Sequence, residues 1–512
     1  MTEIHNKKSY EKKRLVWRLT LFGLLVGLAS GVVAVCYRIL LTKVDQLRTA
    51  WIFGADFSRV LLFLGLFLVC AYLMHRLLLW APYSGGSGIP QIRAELLGKI
   101  HMEVAPTVTS KFIGGILGNA GGLTLGREGP SIQLGGMWAK QIAKTFHVSE
   151  MEERYLITAG AAAGLAAAFN APLSGALFAM EEIHKSLSHL FLLPCLAACL
   201  VANYFSFSVL GLQTAFAFKI HETLPVTALF FVLLIGVLCG LVGVLFNRGL
   251  LYACKTMKKA PIPRYLVIFA IMALLLLVGR VEPLLLGGGH ALIEQLSQHT
   301  MDVLPLIVFF GLRLVFVWLS YGSGAQGGIF LPVLAVGALV GALFFTAFSG
   351  RLAPAYYTNF LYLGMVGVLT AVVQAPLMSI MLVMEMSGSI NIMLPMTTCA
   401  IVAFLVAKIC RTNPVYESLF SMSFGRPSQE ASDRKKDNMT MQYYLVPNEA
   451  PYIGRTLSDW TLPPSMLIAS ISRDGHTFTP NGQTALKGGD EILVLCPEED
   501  LETVHELFTI GT

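Results

Sequence analysis

Long apolar runs constrain the fold of this chain more than any other feature of its sequence. Most of them reach the roughly 20 residues that an α-helix needs to cross a bilayer. They lie at Leu15–Leu41, Val60–Ala81, Leu190–Leu210, Thr227–Leu251, Tyr265–Val278, Val303–Ser320, Ile329–Phe348 and Leu361–Met384. Hydrophobic residues make up 55% of the 512 and charged residues 13%, which is more apolar than one soluble core absorbs. The sequence therefore predicts an all-α protein that crosses a membrane many times.

Several of these runs are interrupted by Gly, Pro or a carboxylate. Lipid tolerates irregular backbone only where it is buried in protein or lines a wet cavity. Broken helices of this kind are typical of a transporter or a channel.

The N-terminus is basic ahead of the first apolar run, which places it on the cytoplasmic side. Its cations are Lys7, Lys8, Lys12, Lys13, Arg14 and Arg18. The run that follows is too long for a signal peptide and no small-residue cleavage site closes it, so we expect an uncleaved first helix. The net charge of +6 needs only basic cytoplasmic loops and anionic membrane lipid, and does not imply nucleic-acid binding. The nine cysteines form no CxxC pair and predict small apolar packing residues, with no metal and no cofactor.

A polar, charged stretch from Arg426 to Met441 predicts a linker between two domains, 1–425 in the membrane and 442–512 outside it. The tail predicts a small α+β module. Its elements are strands at Tyr443–Val446, Met466–Ser472 and Glu491–Cys496, a turn at Asp474-Gly475 and an acidic helix from Glu498.

Two segments of the membrane domain resemble each other at a constant offset. Ala167–Glu182 reads AAFNAPLSGALFAMEE, and Ala371–Met386 reads AVVQAPLMSIMLVMEM. Related halves with Gly/Pro-broken segments are typical of transporters built from repeats, with the site near the midplane.

Three Gly-rich segments, GSGIP, GREGP and GIFLP, each predict a loop followed by the start of a helix. Glycine lets backbone approach a ligand closely, and proline near the first helical position sacrifices no hydrogen bond. A helix N-terminus offers free N–H groups and a positive dipole end, which suit an anion. Taken singly each motif is more often a kink, but together they favour an anion site. Its residues are Gly86, Ser87, Gly88, Ile89, Pro90, Gly126, Arg127, Glu128, Gly129, Pro130, Gly328, Ile329, Phe330, Leu331 and Pro332.

These motifs, in this order and with Lys111–Gly115 (KFIGG) before the second, resemble the CLC family of chloride channels and chloride/proton exchangers. The resemblance runs from about Leu15 to Leu419 and includes NPVYESLF at Asn413–Phe420. It implies a homodimer of two inverted repeats per subunit with broken, half-length helices, in the cell inner (plasma) membrane with both termini cytoplasmic. The substrates that it implies are chloride and protons.

The resemblance also implies roles for single residues. Ser87 and Tyr416 supply hydroxyls to the central anion, and the backbone N–H groups of Ile329 and Phe330 complete its coordination. Alternatives are helix capping for Ser87 and an interfacial anchor for Tyr416. Serine within GSGIP implies chloride rather than nitrate.

Glu128 resembles the gating glutamate of that family, since a carboxylate mimics an anion and a protonated one can move away. The alternative is a structural ion pair with Arg127, which we do not expect because adjacent side chains usually diverge. Glu182 resembles the internal proton-transfer group, although an ordinary helix end is the other interpretation. Its presence favours coupled antiport over the alternative, a passive gated channel. Glu385, the repeat partner of Glu181, is expected to be structural.

The tail, with LKGGDEILVLCP near its end, resembles the RCK-C or TrkA-C domain of potassium-transport regulators. That resemblance implies a dimerising regulatory module and a candidate small-molecule ligand. An anion sensor in which the tail does the work is the remaining alternative. No acid/base pair, nucleophile triad or P-loop supports an enzyme.

Overall fold

A computed structural model describes residues 2–54, 56–185, 189–211, 216, 218, 220, 222–425, 439–446, 453–459, 466–473, 476–497 and 504. The chain forms two compact units, Met1–Phe424 and Gly425–Thr512. The predicted turn at Asp474-Gly475, most of the predicted linker and nearly all of the predicted acidic helix lie outside the described residues.

The described part of the first unit is helical. Its helices are α1 (Thr2–Ile52), α2 (Phe57–Trp80), α3 (Ile89–Leu96), α4 (Val104–Ala120), α5 (Glu128–Thr145), α6 (Glu150–Phe169), α7 (Pro172–Phe178), α8 (His189–Leu210), α9 (Leu229–Lys259), α10 (Arg264–Gly279), α11 (His290–Gln298), α12 (Val303–Gly322), α13 (Phe330–Ala347), α14 (Tyr357–Val373), α15 (Pro376–Ser387), α16 (Met393–Ile409) and α17 (Val415–Phe424). A π-turn, Ala179–His184, continues α7.

Among the described residues, seven helices are long and apolar enough to cross a membrane: α1, α2, α8, α9, α12, α13 and α14. They correspond to the predicted apolar runs with two exceptions. The run Tyr265–Val278 forms α10, which is shorter than the seven. The run Leu361–Met384 is not one helix, because Gln374 ends α14 with a left-handed φ of 62° and Pro376 begins α15. Proline lacks an N–H and clashes with the preceding turn, so it fits a helix start and not a helix interior.

Small residues let neighbouring helices pack closely in both halves of the unit. A Cβ at Gly164 in α6 would lie 2.1 Å from the Ser131 carbonyl oxygen in α5. In the second half, a Cβ at Gly341 in α13 would lie 2.1 Å from the Phe360 carbonyl oxygen in α14. Close backbone contact through glycine is a typical way to join helices in lipid, where apolar side chains gain little by leaving the solvent.

Each of the two repeated segments contributes a carboxylate that accepts hydrogen bonds from the helix start of the other segment. The backbone N–H groups of Leu173 and Ser174, at the start of α7, donate to Glu385 at 3.0 and 2.8 Å. At the matching position, the N–H groups of Leu377 and Met378 in α15 donate to Glu181 at 3.2 and 2.8 Å. Each acid therefore caps the positive helix start that belongs to the other repeat. This is a structural role for Glu385, as expected.

The described part of the second unit contains an antiparallel sheet in the order β1-β4-β2-β3. Its strands are β1 (Met439–Leu445), β2 (Leu467–Arg473), β3 (His476–Phe478) and β4 (Glu491–Pro497). The three predicted strands are present, but β1 begins inside the predicted linker and the short β3 was not predicted. Apolar side chains on one face form a core that includes Ile471, Ile492 and Val494.

A buried carboxylate fixes the turn that leads into β4. Asp490 accepts hydrogen bonds from Arg473 Nε at 2.7 Å, Arg473 Nη2 at 2.6 Å and the Lys487 N–H at 2.8 Å. Burial alone would raise the pKa of Asp490, but these hydrogen bonds and the Arg473 charge lower it below its usual value.

Candidate anion pathway

The three Gly-rich loops are joined by backbone hydrogen bonds. The Gly86 N–H donates to the Ala325 carbonyl at 3.0 Å, and the Gly327 N–H donates to the Gly86 carbonyl at 3.0 Å. Gly126 and Gly328 exchange two further hydrogen bonds of 2.7 and 2.8 Å. The loops precede α3, α5 and α13, so the N-termini of these helices converge. The prediction that each motif begins a helix is confirmed.

Glycine is required at these contacts. A Cβ at Gly129 would lie 2.7 Å from the Ser87 carbonyl oxygen, and one at Gly328 would lie 2.9 Å from the Gly129 nitrogen. Gly88 adopts a φ of 92°, a conformation that other residues rarely accept. The motifs are therefore glycine-rich because three backbones approach each other here.

A buried lysine supports the first loop. The Lys111 ammonium donates to the Ser84 and Gly86 carbonyl oxygens, each at 2.7 Å. The side chain is fully buried, so it satisfies its charge through these carbonyl dipoles. Lys111 belongs to the KFIGG stretch, and its support of this loop was not predicted from the sequence.

The two predicted hydroxyl ligands are both buried. Ser87 Oγ accepts a hydrogen bond from the Ile89 N–H at 3.3 Å, but the N-cap residue of α3 is Gly88, so Ser87 is not the helix cap. Tyr416 is 2% exposed, which excludes the interfacial-anchor interpretation. Its hydroxyl has no hydrogen-bond partner among the described residues, and its ring stacks on Phe330 with centroids 6.1 Å apart. A buried phenol without a partner leaves a donor available to a bound anion.

The predicted backbone ligands lie at the start of α13. Ile329 is the N-cap and Phe330 is the first helical residue, and both are buried. The first N–H groups of a helix have no partner within the helix, and the helix dipole makes this end positive. The Phe330 ring also contacts Phe169 and Phe178, each with centroids 6.2 Å apart.

The Glu128 carboxylate lies at this same helix start. Glu128 is fully buried, and its Oε2 accepts a hydrogen bond of 3.4 Å from the Leu331 N–H. Arg127 Nε lies 3.9 Å from Glu128 Oε1, so the adjacent side chains form a long ion pair and do not diverge, but neither atom has a hydrogen-bond partner among the described residues. The carboxylate thus lies where helix N-termini attract negative charge.

Tyr321, in the last turn of the apolar helix α12, was not among the predicted site residues. Its phenol is close enough to Ser87 to interact with it electrostatically. A Cβ at Gly86 would lie 3.3 Å from the Tyr321 hydroxyl. A tyrosine at the end of an apolar run usually indicates a membrane interface, so only the contact between loops reveals this third hydroxyl.

Glu182 lies apart from the three loops, in the π-turn that continues α7, and is 4% exposed. The charges that act on it are those of Lys185, Arg93, Glu417 and Glu181. Tyr416 lies within electrostatic range of both Glu182 and Glu128. The two acids therefore both lie near one tyrosine, and they share no hydrogen bond within the described part of the chain.

Two cavities reach the loops. One of about 710 Å³ is lined by residues that include Arg38, Arg127 and Leu331. The other, of about 300 Å³, is lined by residues that include Gly86, Tyr321 and Arg264. The first cavity therefore includes residues of the GREGP loop, and the second includes residues of the GSGIP loop.

The fold and the site together define a multi-pass membrane protein in which three helix N-termini meet at buried polar residues. Residues 65–408 match the family model described as voltage gated chloride channel, and residues 441–509 match the TrkA-C domain. The chain belongs to the voltage-gated chloride channel (CLC) family.

Curated relatives include proteins named H(+)/Cl(-) exchange transporter ClcA. That of Vibrio vulnificus (strain YJ016) is 32% identical over 414 residues, covering 77% of this chain and 87% of the relative. That of Salmonella typhimurium is 31% identical over 435 residues, covering 80% and 90%. A solved slow cyanobacterial Cl-/H+ antiporter superposes with a TM-score of 0.76 at 27% identity, covering 80% of this chain and 99% of that chain. These likenesses confirm the predicted family and the predicted fold with its small C-terminal domain.

Proposed function

We propose that this protein exchanges chloride for protons across the cell inner membrane, with both termini cytoplasmic. The observation that carries the proposal is the buried Glu128 carboxylate at the start of α13, between converging helix N-termini. An acid in that position competes with an anion for the same N–H groups, so its protonation and anion entry are linked. The names of the relatives at 31% and 32% identity support antiport over a passive channel.

Chloride binds in this scheme between Ser87, Tyr416 and the N–H groups of Ile329 and Phe330. Partial charges from hydroxyls and helix dipoles hold an anion without the deep binding that a buried lysine would give. The Tyr416 hydroxyl supports this role because it has no hydrogen-bond partner among the described residues.

Glu128 acts as the gate. Its ionised carboxylate occupies an anion position. Its protonated form is neutral and is therefore attracted less strongly to a positive helix end. Chloride replaces it there, so each proton taken up opens the pathway.

Glu182 hands protons between the cytoplasm and Glu128. The positive helix ends that attract chloride repel a proton, so the two substrates need separate routes over part of their path. The burial of Glu182 in the π-turn after α7, outside the three Gly-rich motifs, supports such a branch.

The remaining parts of the proposal concern assembly and regulation. We infer a homodimer with one pathway per subunit, no nucleic-acid partner and no enzymatic activity. Residues 442–512 act as a regulatory domain that can take a small-molecule ligand, and 1–425 act as the transport domain.

A liposome assay that records chloride and pH together tests the proposal. A chloride gradient should drive protons uphill through the unmodified protein, and Glu128→Gln should keep chloride flux but lose proton coupling and pH dependence. Glu182→Gln should also keep chloride flux, with proton movement at background. Glu150→Gln, a surface change, is the matched control, because its side chain is 84% exposed. Chloride flux without any proton movement in the unmodified protein would establish the channel instead.

A further inference from the structure

One carboxylate at the end of the pathway binds two cations from different elements. Arg93 Nη1 in α3 lies 2.6 Å from Glu417 Oε2 in α17, and Lys185 Nζ pairs with the same oxygen. The Arg93–Glu417–Lys185 group is called the triad here. Sequence analysis assigned no role to its members, because they are far apart along the chain.

Each member of the triad follows a residue of the proposed pathway. Glu417 comes directly after Tyr416, Arg93 is on the short helix that begins after Ser87, and Lys185 follows the turn that holds Glu182. The triad therefore links three structural elements of the proposed mechanism. They are α17 with Tyr416, α3 after Ser87 and the turn that holds Glu182.

Partial burial makes these ion pairs more than surface contacts. The exposed fractions of the side chains are 16% for Arg93, 25% for Glu417 and 41% for Lys185. Pairs that are partly withdrawn from water are screened less than pairs that are fully exposed. They can hold the start of α17, and with it Tyr416, against α3.

The triad also sets the field at Glu182. The charges that act on Glu182 are Lys185, Arg93, Glu417 and Glu181, with the neutral phenol of Tyr416 nearby. Two cations and one anion leave the triad with one net positive charge. Removing the anion makes this field more positive, and removing a cation makes it more negative.

We propose that the triad of Arg93, Glu417 and Lys185 positions Tyr416 and sets the pH range in which Glu182 takes up and releases protons. The inference rests on the proposed exchange, because it assigns the triad a task in proton delivery. Glu417 and its cations are positioning residues, since their action on the protons passes through Glu182 and Tyr416.

The sign of the pH shift separates this role from simple stabilisation. Glu417→Gln removes a negative charge, so Glu182 holds its proton less tightly and proton flux falls to half its maximum at a lower pH. Lys185→Gln removes a positive charge and keeps the Arg93–Glu417 pair, so this midpoint moves to a higher pH. Unit charges several ångströms apart at a partly wet site predict shifts of about half to one pH unit in each direction. A merely loosened structure would move both variants the same way.

The experiment is coupled flux in liposomes over a range of internal pH, with the unmodified protein, Glu417→Gln, Lys185→Gln and Arg93→Gln. The expected result is opposite shifts for the anion and cation variants, with a higher chloride-to-proton ratio in Glu417→Gln, where Tyr416 is held less firmly. Arg154→Gln is the matched control, because its ion pair with Glu150 lies at the surface.

If the unmodified protein couples protons, midpoint shifts of the same sign in Glu417→Gln and Lys185→Gln would overturn the role of the triad. The absence of a shift in both variants would also overturn it. Absence of proton coupling in the unmodified protein would overturn the proposed exchange first, and the two failures are thus distinct. If Glu417→Gln does not fold, Lys185→Gln and Arg93→Gln must each raise the midpoint while Lys185→Arg, which keeps the charge, leaves it unchanged. A shift of Lys185→Arg equal to that of Lys185→Gln would indicate loosening and overturn the role of the triad.

Discussion

Replacing Lys111 with methionine should weaken chloride binding, because this ammonium supports the loop that carries Ser87. The change keeps an unbranched apolar side chain and removes the hydrogen bonds to the Ser84 and Gly86 carbonyls. The Gly86 carbonyl keeps the Gly327 N–H at 3.0 Å as a second partner. The cost therefore falls mainly on the Ser84 carbonyl and on the geometry of the loop.

The magnitude follows from these contacts. Hydrogen bonds to a charged group contribute about 1.5–3 kcal/mol each, and one buried carbonyl left without a partner costs about 1–3 kcal/mol. The cost of burying the ammonium offsets part of the loss. If this net cost of about 2 kcal/mol falls entirely on the chloride-bound form, chloride affinity falls by roughly 30-fold, which is the upper bound of the effect.

Isothermal titration of chloride into purified protein measures this affinity directly. Lys140→Met is the control, because Lys140 is equally buried but contacts Glu95 and the Met102 carbonyl instead of the loop. We expect Lys140→Met to change chloride affinity by less than about threefold. A Lys111→Met protein that folds and binds chloride like the unmodified protein would refute the supporting role of this lysine.

Two further predictions concern carboxylates outside the anion site. Glu385→Gln keeps an acceptor but removes the charge at the start of α7, so it should lower stability by about 1 kcal/mol in thermal unfolding; Glu181→Gln should lower it by a similar amount, and unequal losses of several-fold would contradict the reciprocal capping. Asp490→Asn should destabilise the C-terminal unit by about 2 kcal/mol, measured by denaturant unfolding of the full chain. Because the folded pKa of Asp490 is lowered, its contribution is complete above the unfolded pKa of about 3.9 and is lost as pH falls through the folded value. A stability difference between Asp490→Asn and the unmodified protein that persists at the lowest pH would contradict this assignment.

Sequence patterns predicted the helices wherever one physical signal dominated. The apolar runs gave the membrane helices, and Gly and Pro marked the loop before α3, α5 and α13. The pattern failed at Leu361–Met384, where continuous hydrophobicity concealed a break at Gln374 and Pro376. Hydrophobicity measures transfer to lipid and carries little information on backbone direction, so composition alone could not divide this run.

The candidate site was predictable where its members lie in contiguous motifs. Ser87, Glu128, Ile329 and Phe330 belong to such motifs, while their roles as ligands and gate stay predictions. Contacts between motifs could not be predicted, because spacing along the chain says nothing about which loops meet. The interaction of Tyr321 with Ser87 is of this kind. So is the ion pair of Arg93 with Glu417, whose members are 324 residues apart.

The exchange of carboxylates between the repeats has a consequence for biosynthesis. Glu385, which caps α7, follows Leu173 by 212 residues, so the ribosome adds it long after that helix has been made. At roughly 5–20 residues per second, the delay is about 10–40 s. During this interval the start of α7 lacks its anionic partner, and Glu181 lacks the helix start that it caps. The first half of the chain therefore stays in an incomplete form in the membrane during this interval. Both helix starts gain their carboxylate partners when the second half packs against the first.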